Sequence, residues 1–178
     1  MVQLLTPMRW ESKSALQAHL DASARPTLLL GQKAEAPCAY HSFSATSSHG
    51  YGDIGLISSG LGIGPVAVFL GQGQRMVVGH DSCLTWVSME PLTIVASRCM
   101  YGVFYEFLPI ERDDEIVVIH EIGVLRVDAN GGVKWSVDTD IVQECTEANG
   151  NLMLTVMDGP PLVVSLATGA VSTWVPTR

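Results

Sequence analysis

Short apolar runs, each closed by a turn signal, dominate the chain from residue 75 onward. The clearest is EIVVIHEIGVLRVDANGGVKWSV, residues 115–137, which predicts strands over 116–120, 124–128 and 133–137. Val, Ile and Trp favour a pleated, half-buried surface, and Asn130-Gly131 supplies the φ > 0 residues of a hairpin turn. The same pattern begins at Arg75 and again at Asn151. Each unit has an apolar strand, then an acid (Asp81, Glu121, Asp158), then a second strand over 83–89, 123–129 or 161–166. Forty residues separate Asp81 from Glu121, and 37 separate Glu121 from Asp158. Strands over 101–107 and 141–146 are expected to complete the first two units as their fourth strands. A period near forty with several short strands per unit marks propeller blades or similar meanders.

The first seventy residues are patterned less strongly. Thr6-Pro7 reads as an N-cap followed by proline at the first helical position, predicting a helix over 7–21 with Leu16 and Leu20 on one face. That helix would pack on the sheet or form a dimer contact. Residues 27–70 read as an irregular β region, with strands over 27–31, 39–45 and 53–57 and a Ser/His/Gly loop between the last two. Composition places any mobile or functional loop there.

The two stretches V-L-R-V-D-A-N-G-G-V-K-W and L-A-T-G-A-V-S-T-W carry a resemblance. Arg75 to Trp174 resembles the quinoprotein-like and WD-type β-propeller repeat. The resemblance implies three blade-like repeats over 75–174, with a fourth unit available from 27–70. Closed propellers have four or more blades. The chain lacks a Trp-Asp pair, and, separately, nothing in the residues supports a bound quinone, so no cofactor is expected. The fold class expected is a single all-β domain with one N-terminal helix, built either as an antiparallel meander of blade-like units or as two packed sheets.

Composition bounds the function. The 178 residues are 47% apolar, enough for a real core, and mean hydropathy is +0.28. Residues 1–100 carry six acids and six bases; residues 101–178 carry twelve acids and four bases and so hold the whole net charge of −8. An acidic half repels phosphate backbones and anionic lipid, so neither nucleic acid nor a membrane is an expected partner. A basic protein partner suits it. The opening MVQLLTPMRWESKS lacks the pattern of a secretory signal, and Cys38, Cys83, Cys99 and Cys145 form no CxxC. Both features predict a cytoplasmic protein with free thiols.

Candidate chemistry is sparse. Asp81, Glu121 and Asp158, two of them preceded by His80 and His120, either line one rim as a site or serve their turns by accepting backbone N–H bonds. His41, His49, Asp53 and His80 are the residues an alternative metal-dependent or hydrolytic enzyme would use, although Cys38, His41 and His49 match no structural zinc spacing. Gly50-x-Gly52-x-x-Gly55 lacks the strand-then-helix context of a nucleotide site. Asp128-x-Asn130-x-Gly132 lacks the later ligands of a calcium loop. Tyr105 and Phe107 beside Asp113, Asp114 and Glu115 make an aromatic strand next to an acidic turn, the composition of a contact for a basic partner. The sequence-level reading is a non-enzymatic interaction module, monomer or homodimer, with toxin neutralisation of the immunity type as one version.

Overall fold

Apolar runs that alternate faces bury both sides of a strand only when sheets lie on each side. That is the arrangement found in the computed structural model, which describes residues 4–31, 38–110 and 114–173. In chain order the elements are β1 (Leu4–Leu5), β2 (Met8–Trp10), α1 (Lys13–Ala22), β3 (Thr27–Leu30), β4 (Ala39–Ser47), β5 (Gly50–Ser58), β6 (Val66–Leu70), β7 (Arg75–His80) and β8 (Cys83–Met89). They continue with β9 (Leu92–Cys99), β10 (Phe104–Pro109), β11 (Glu115–His120), β12 (Gly123–Asp128), β13 (Val133–Asp138), β14 (Val142–Ala148), β15 (Asn151–Val156), β16 (Leu162–Ser165) and β17 (Val171–Thr173). The strands divide into four sheets ordered β2-β4-β5-β3, β1-β6-β7-β8-β9, β10-β11-β12-β13 and β14-β15-β16-β17. Four sheets replace the two-packed-sheet alternative; the blade-like meander is the form adopted.

Three apolar layers join the sheets face to face. Phe43, Ile54 and Leu56 of the first sheet meet Met76, Val78 and Val87 of the second. Val77, Leu84 and Trp86 of the second meet Phe104, Phe107, Ile116 and Val118 of the third. Val117, Ile119 and Val124 of the third meet Leu152, Leu154 and Val164 of the fourth. The period-2 geometry of β11 explains how one run serves two layers: Ile116 and Val118 point one way, Val117 and Ile119 the other. On the far side of the first sheet, Leu16 and Leu20 of α1 cover Ile57.

The strands expected to close the first two units instead open the next sheets. β10 pairs with β11, its Phe104 and Phe107 packing in the second–third layer, and β14 pairs with β15, its Val142 and Cys145 packing in the third–fourth layer. The outer place in the second sheet goes to β9, whose Leu92–Cys99 run follows Glu90-Pro91.

The helix also begins later than Thr6-Pro7 suggests. Residues 8–10 pair with β4, and Trp10, out of phase with Leu16 and Leu20, donates its indole N–H to Ser42 Oγ at 2.9 Å. Ser12 is the actual N-cap, its Oγ accepting from the Ala15 N–H at 3.1 Å. The anticipated Ser/His/Gly loop is a tight hairpin: β4 and β5 run in register from Ala39↔Ser58 to Ser47↔Gly50. Gly55 sits within β5 where α1 presses closest, since a Cβ there would lie 2.7 Å from a Leu20 methyl.

A contact between a Trp of one sheet and a turn glycine of the next is repeated in the fold. Trp86 donates its indole N–H to the Asp128 carbonyl at 3.1 Å, and Trp135 donates to the Leu166 carbonyl at 3.1 Å. In both cases a turn glycine of the next sheet lies on the indole: Gly131 (φ +87°) over Trp86 and Gly169 (φ +72°) over Trp135. Both turns need φ > 0, and at Gly169 the ring also leaves no room for a side chain, a Cβ there meeting Trp135 at 2.7 Å, whereas at Gly131 it would make ordinary contact with Trp86 at 3.6 Å.

Candidate functional site

All four sheets end on one common rim, where β5, β7, β11, β13 and β15 finish and the loops to β6, β8, β12, β14 and β16 begin. Asp81 is the pivot of this rim. It sits in the β7–β8 turn at φ +46°, and its carboxylate accepts from Ser58 Oγ at 2.9 Å and the Ser59 N–H at 2.9 Å, both from the first sheet's exit. His80 Nδ1 lies 3.2 Å from the same carboxylate. Burial raises the Asp81 pKa, but the hydrogen bonds from His80, Ser59 and Ser58 outweigh it and hold the group far below the usual carboxylate range.

The turn acids repeat one backbone job. The Asp81 carbonyl accepts from the Phe104 N–H of the third sheet, and the Glu121 carbonyl accepts from the Val142 N–H of the fourth at 2.7 Å. The Glu121 carboxylate reaches back to the Val103 N–H at 3.3 Å. Asp158 occupies the β15–β16 connection and is exposed. Each acid lies on its own turn.

The loops these bonds hold in place carry exposed apolar side chains. Leu61 is 60% exposed, Ile63 74% and Tyr101 98%. Gly62, between the first two, lies so close to the β9–β10 loop that a Cβ there would come within 2.3 Å of a Val103 methyl. Gly102 approaches the Glu121 side chain in the same way, at 2.9 Å. The β5–β6, β9–β10 and β11–β12 connections are therefore contiguous. Across 58–65, 81–82, 100–103, 121–122, 138–141 and 157–161 the acids are Asp81, Glu121, Asp138, Asp140 and Asp158, and no Lys or Arg occurs.

The histidine and acid set proposed for an enzyme is split by the fold. His41 on β4 is close to His80 and Asp81; burial first, then Arg9, lowers its pKa against the pull of Asp81, and its buried Nδ1 has no hydrogen-bond partner among the described residues. His49 lies in the β4–β5 turn at the opposite end, its N–H bonded to Ser47 Oγ. Asp53, on β5, ties down the α1–β3 junction, accepting from Ser23 Oγ at 2.6 Å with Arg25 at 3.7 Å. Among the described residues no three His, Cys, Asp or Glu side chains group so as to hold a metal ion. Ser58 donates to Asp81 rather than to a histidine, so it is not arranged as an activated nucleophile.

The fold divides the aromatic and acidic residues expected to form one surface. Phe107 is buried between the second and third sheets, and Tyr105 packs against the third–fourth layer. Glu115 is buried in an ion pair with Arg126, whose guanidinium also donates to the Leu166 carbonyl at 2.7 Å. Asp114 lies at the opposite end from the rim, its carbonyl accepting from the Ala129 N–H. Asp113 lies outside the described residues. Tyr101, expected to open a strand over 101–107, lies instead in the loop before β10, and the rim's other apolar residues, Leu61 and Ile63, were not legible because a Gly-rich run lacks periodicity. Their signal was large apolar residues between glycines that preclude a helix.

Among protein-family models none matches the chain, and no curated protein matches it. Solved structures similar to it are β-propeller proteins. Hsv2 from Kluyveromyces lactis aligns at 13% identity over 55% of this chain and 31% of that chain, with a TM-score of 0.33. A europium-containing methanol dehydrogenase aligns at 15% identity over 73% of this chain and 25% of its own, with a TM-score of 0.45. BamB from Moraxella catarrhalis aligns at 13% identity over 96% of this chain and 51% of its own, with a TM-score of 0.44. The chain thus spans from a quarter to about half of the length of these structures. The likeness is one of fold.

Proposed function

We propose that this protein is an interaction module whose partner, a basic protein with apolar anchor side chains, docks on the loop rim. The observation that carries the reading is the cluster of Leu61, Ile63 and Tyr101, at 60%, 74% and 98% exposure, on adjoining loops. Large apolar side chains exposed together on loops pinned from below suit a partner's docking better than its catalysis. Glu121, Asp138, Asp140 and Asp158 lie along the same rim, whose connections hold no compensating base. Their charge would steer a basic partner and reject an acidic one. A cytoplasmic setting, and neutralisation of a basic toxin as one concrete role, are the finer form of this proposal and rest on acidity and size alone.

Purified protein is used as bait in its source extract, and the captured partner is then isolated and titrated. The pair Leu61→Ser and Ile63→Ser, and separately Tyr101→Ala, are expected to weaken that complex more than tenfold, with binding further reduced at high salt. Asp114→Lys, at the opposite end, leaves it unchanged. Equal affinity of the rim variants and the parent protein would remove the proposal.

A further inference from the structure

Cys83 and Cys99 are directly opposed on β8 and β9, and their sulfur atoms lie 4.0 Å apart. The Met100 N–H donates to the Ser82 carbonyl at 2.7 Å, joining the residue after Cys99 to the residue before Cys83. In an antiparallel ladder that bond marks the Cys83/Cys99 pair as non-hydrogen-bonded, the class whose Cα atoms approach to about 4.5 Å and whose side chains lie closest. A disulfide spans Cα separations of about 4.4–6.8 Å, so rotation of the two side chains is enough to join them. β9 is the outer strand of its sheet, Cys99 is exposed and Cys83 is half-buried. Cys38, just before β4, and Cys145, on β14 in the third–fourth layer, belong to other sheets.

We infer that Cys83 and Cys99 form a redox-responsive dithiol, oxidised by low-molecular-weight disulfides to a reversible cross-strand disulfide at the root of the Tyr101 loop. The exposed Cys99 reacts first: its thiolate attacks one sulfur of the small disulfide and expels one small thiolate, leaving a mixed disulfide on Cys99. Cys83 then attacks the Cys99 sulfur, losing its proton to the medium, and expels the second small thiolate. Two protein thiols are oxidised and one small disulfide is reduced to two thiols. The order follows from position. Cys99 is exposed, whereas Cys83 is half-buried, its thiol pushed up to about 11 by burial and then by the neighbouring Cys99, which disfavours it as the first attacker. The 4.0 Å approach of the two sulfurs carries the second, intramolecular step. The linkage would tie β8 to β9 two residues before Tyr101 and so set the freedom of the loop that carries it.

The test uses the full chain and oxidised glutathione. The reduced protein should show four titratable thiols under denaturing conditions and the oxidised protein two, with an intact mass lower by about 2 Da and a Cys83–Cys99 crosslinked peptide, all reversed by dithiothreitol. A Cys38→Ser, Cys145→Ser double variant should still lose its two remaining thiols. Cys83→Ser should instead retain a stable glutathione adduct on Cys99. Persistence of that adduct in the unmodified chain, a disulfide-linked dimer, or a crosslink to Cys38 or Cys145 would overturn the inference. The thiol count is independent of partner binding, so the redox pair and the rim proposal fail separately.

Discussion

Asp81 holds two sheets together with the atoms a ligand-binding carboxylate would present. Its oxygens are taken by Ser58, Ser59 and His80, and its positive φ suits Asp or Asn far better than a branched residue. Asp81→Asn keeps that backbone and removes the charge, and should cost about 2 kcal/mol in urea unfolding at pH 7. Because the folded-state pKa lies below the unfolded value of about 3.9, the contribution is complete above that value and is lost as pH falls beneath it, so parent and variant should converge in acid. Two histidines act in a higher window. Burial lowers the pKa of both His41 and His120, in the latter against the opposing charges of Asp138 and Glu121. Below about pH 6.5 the unfolded chain binds protons that these folded imidazoles refuse, so stability should decline as pH falls from there. His41→Gln with His120→Gln should flatten that slope; an unchanged slope would contradict the burial argument. Glu115 tests a buried pair. Glu115→Gln leaves the Arg126 guanidinium buried without its carboxylate and should destabilise the fold by about 3 kcal/mol.

At the scale of elements, the repeated device is an indole of one sheet beneath a turn glycine of the next. Gly169→Ala must hold φ +72° with a Cβ 2.7 Å from the Trp135 ring, and should cost about 2 kcal/mol measured by thermal or urea unfolding. Stability equal to the parent would mean the contact is slack. This device shows what was legible in the chain. Turn-Gly signals announced the hairpins, because a demand for φ > 0 is local to a few residues, whereas the indole contacts join Trp86 to Gly131 and Trp135 to Gly169 across successive sheets. Membership of β10 and β14 was not legible, since a strand between two loops pairs with whichever neighbour buries its apolar face, and the layers that take Phe104 and Phe107 of β10 and Val142 of β14 are built by residues distant in sequence. β2 escaped for a similar reason: Met8-Arg9-Trp10 is too short for a period, and its strand form comes from pairing with β4. The site was less legible than the fold. Glu115 looks surface-like in sequence, and only the Arg126 guanidinium shows why it is buried, whereas the burial of Phe107 is what an aromatic strand residue leads one to expect.

At the scale of the molecule, four sheets stacked through three apolar layers form a firm body, and the loops at one rim are its exposed apolar face. Tyr101, at 98% exposure, contributes nothing to any layer, so Tyr101→Ala should change stability by less than about 0.5 kcal/mol. Stability and recognition are thereby separable in this chain. The acids of the rim add direction, and their effect should fade as ionic strength rises past the point where the screening length falls to about 10 Å. The most direct measurement is the affinity of the isolated partner for the parent protein, for Tyr101→Ala and for Leu61→Ser with Ile63→Ser, each first shown to unfold at the same urea concentration. The rim account predicts losses of more than tenfold in both variants, with Asp114→Lys unaffected. Unaltered affinity in the rim variants, or a loss confined to Asp114→Lys, would place recognition elsewhere on the molecule and contradict it.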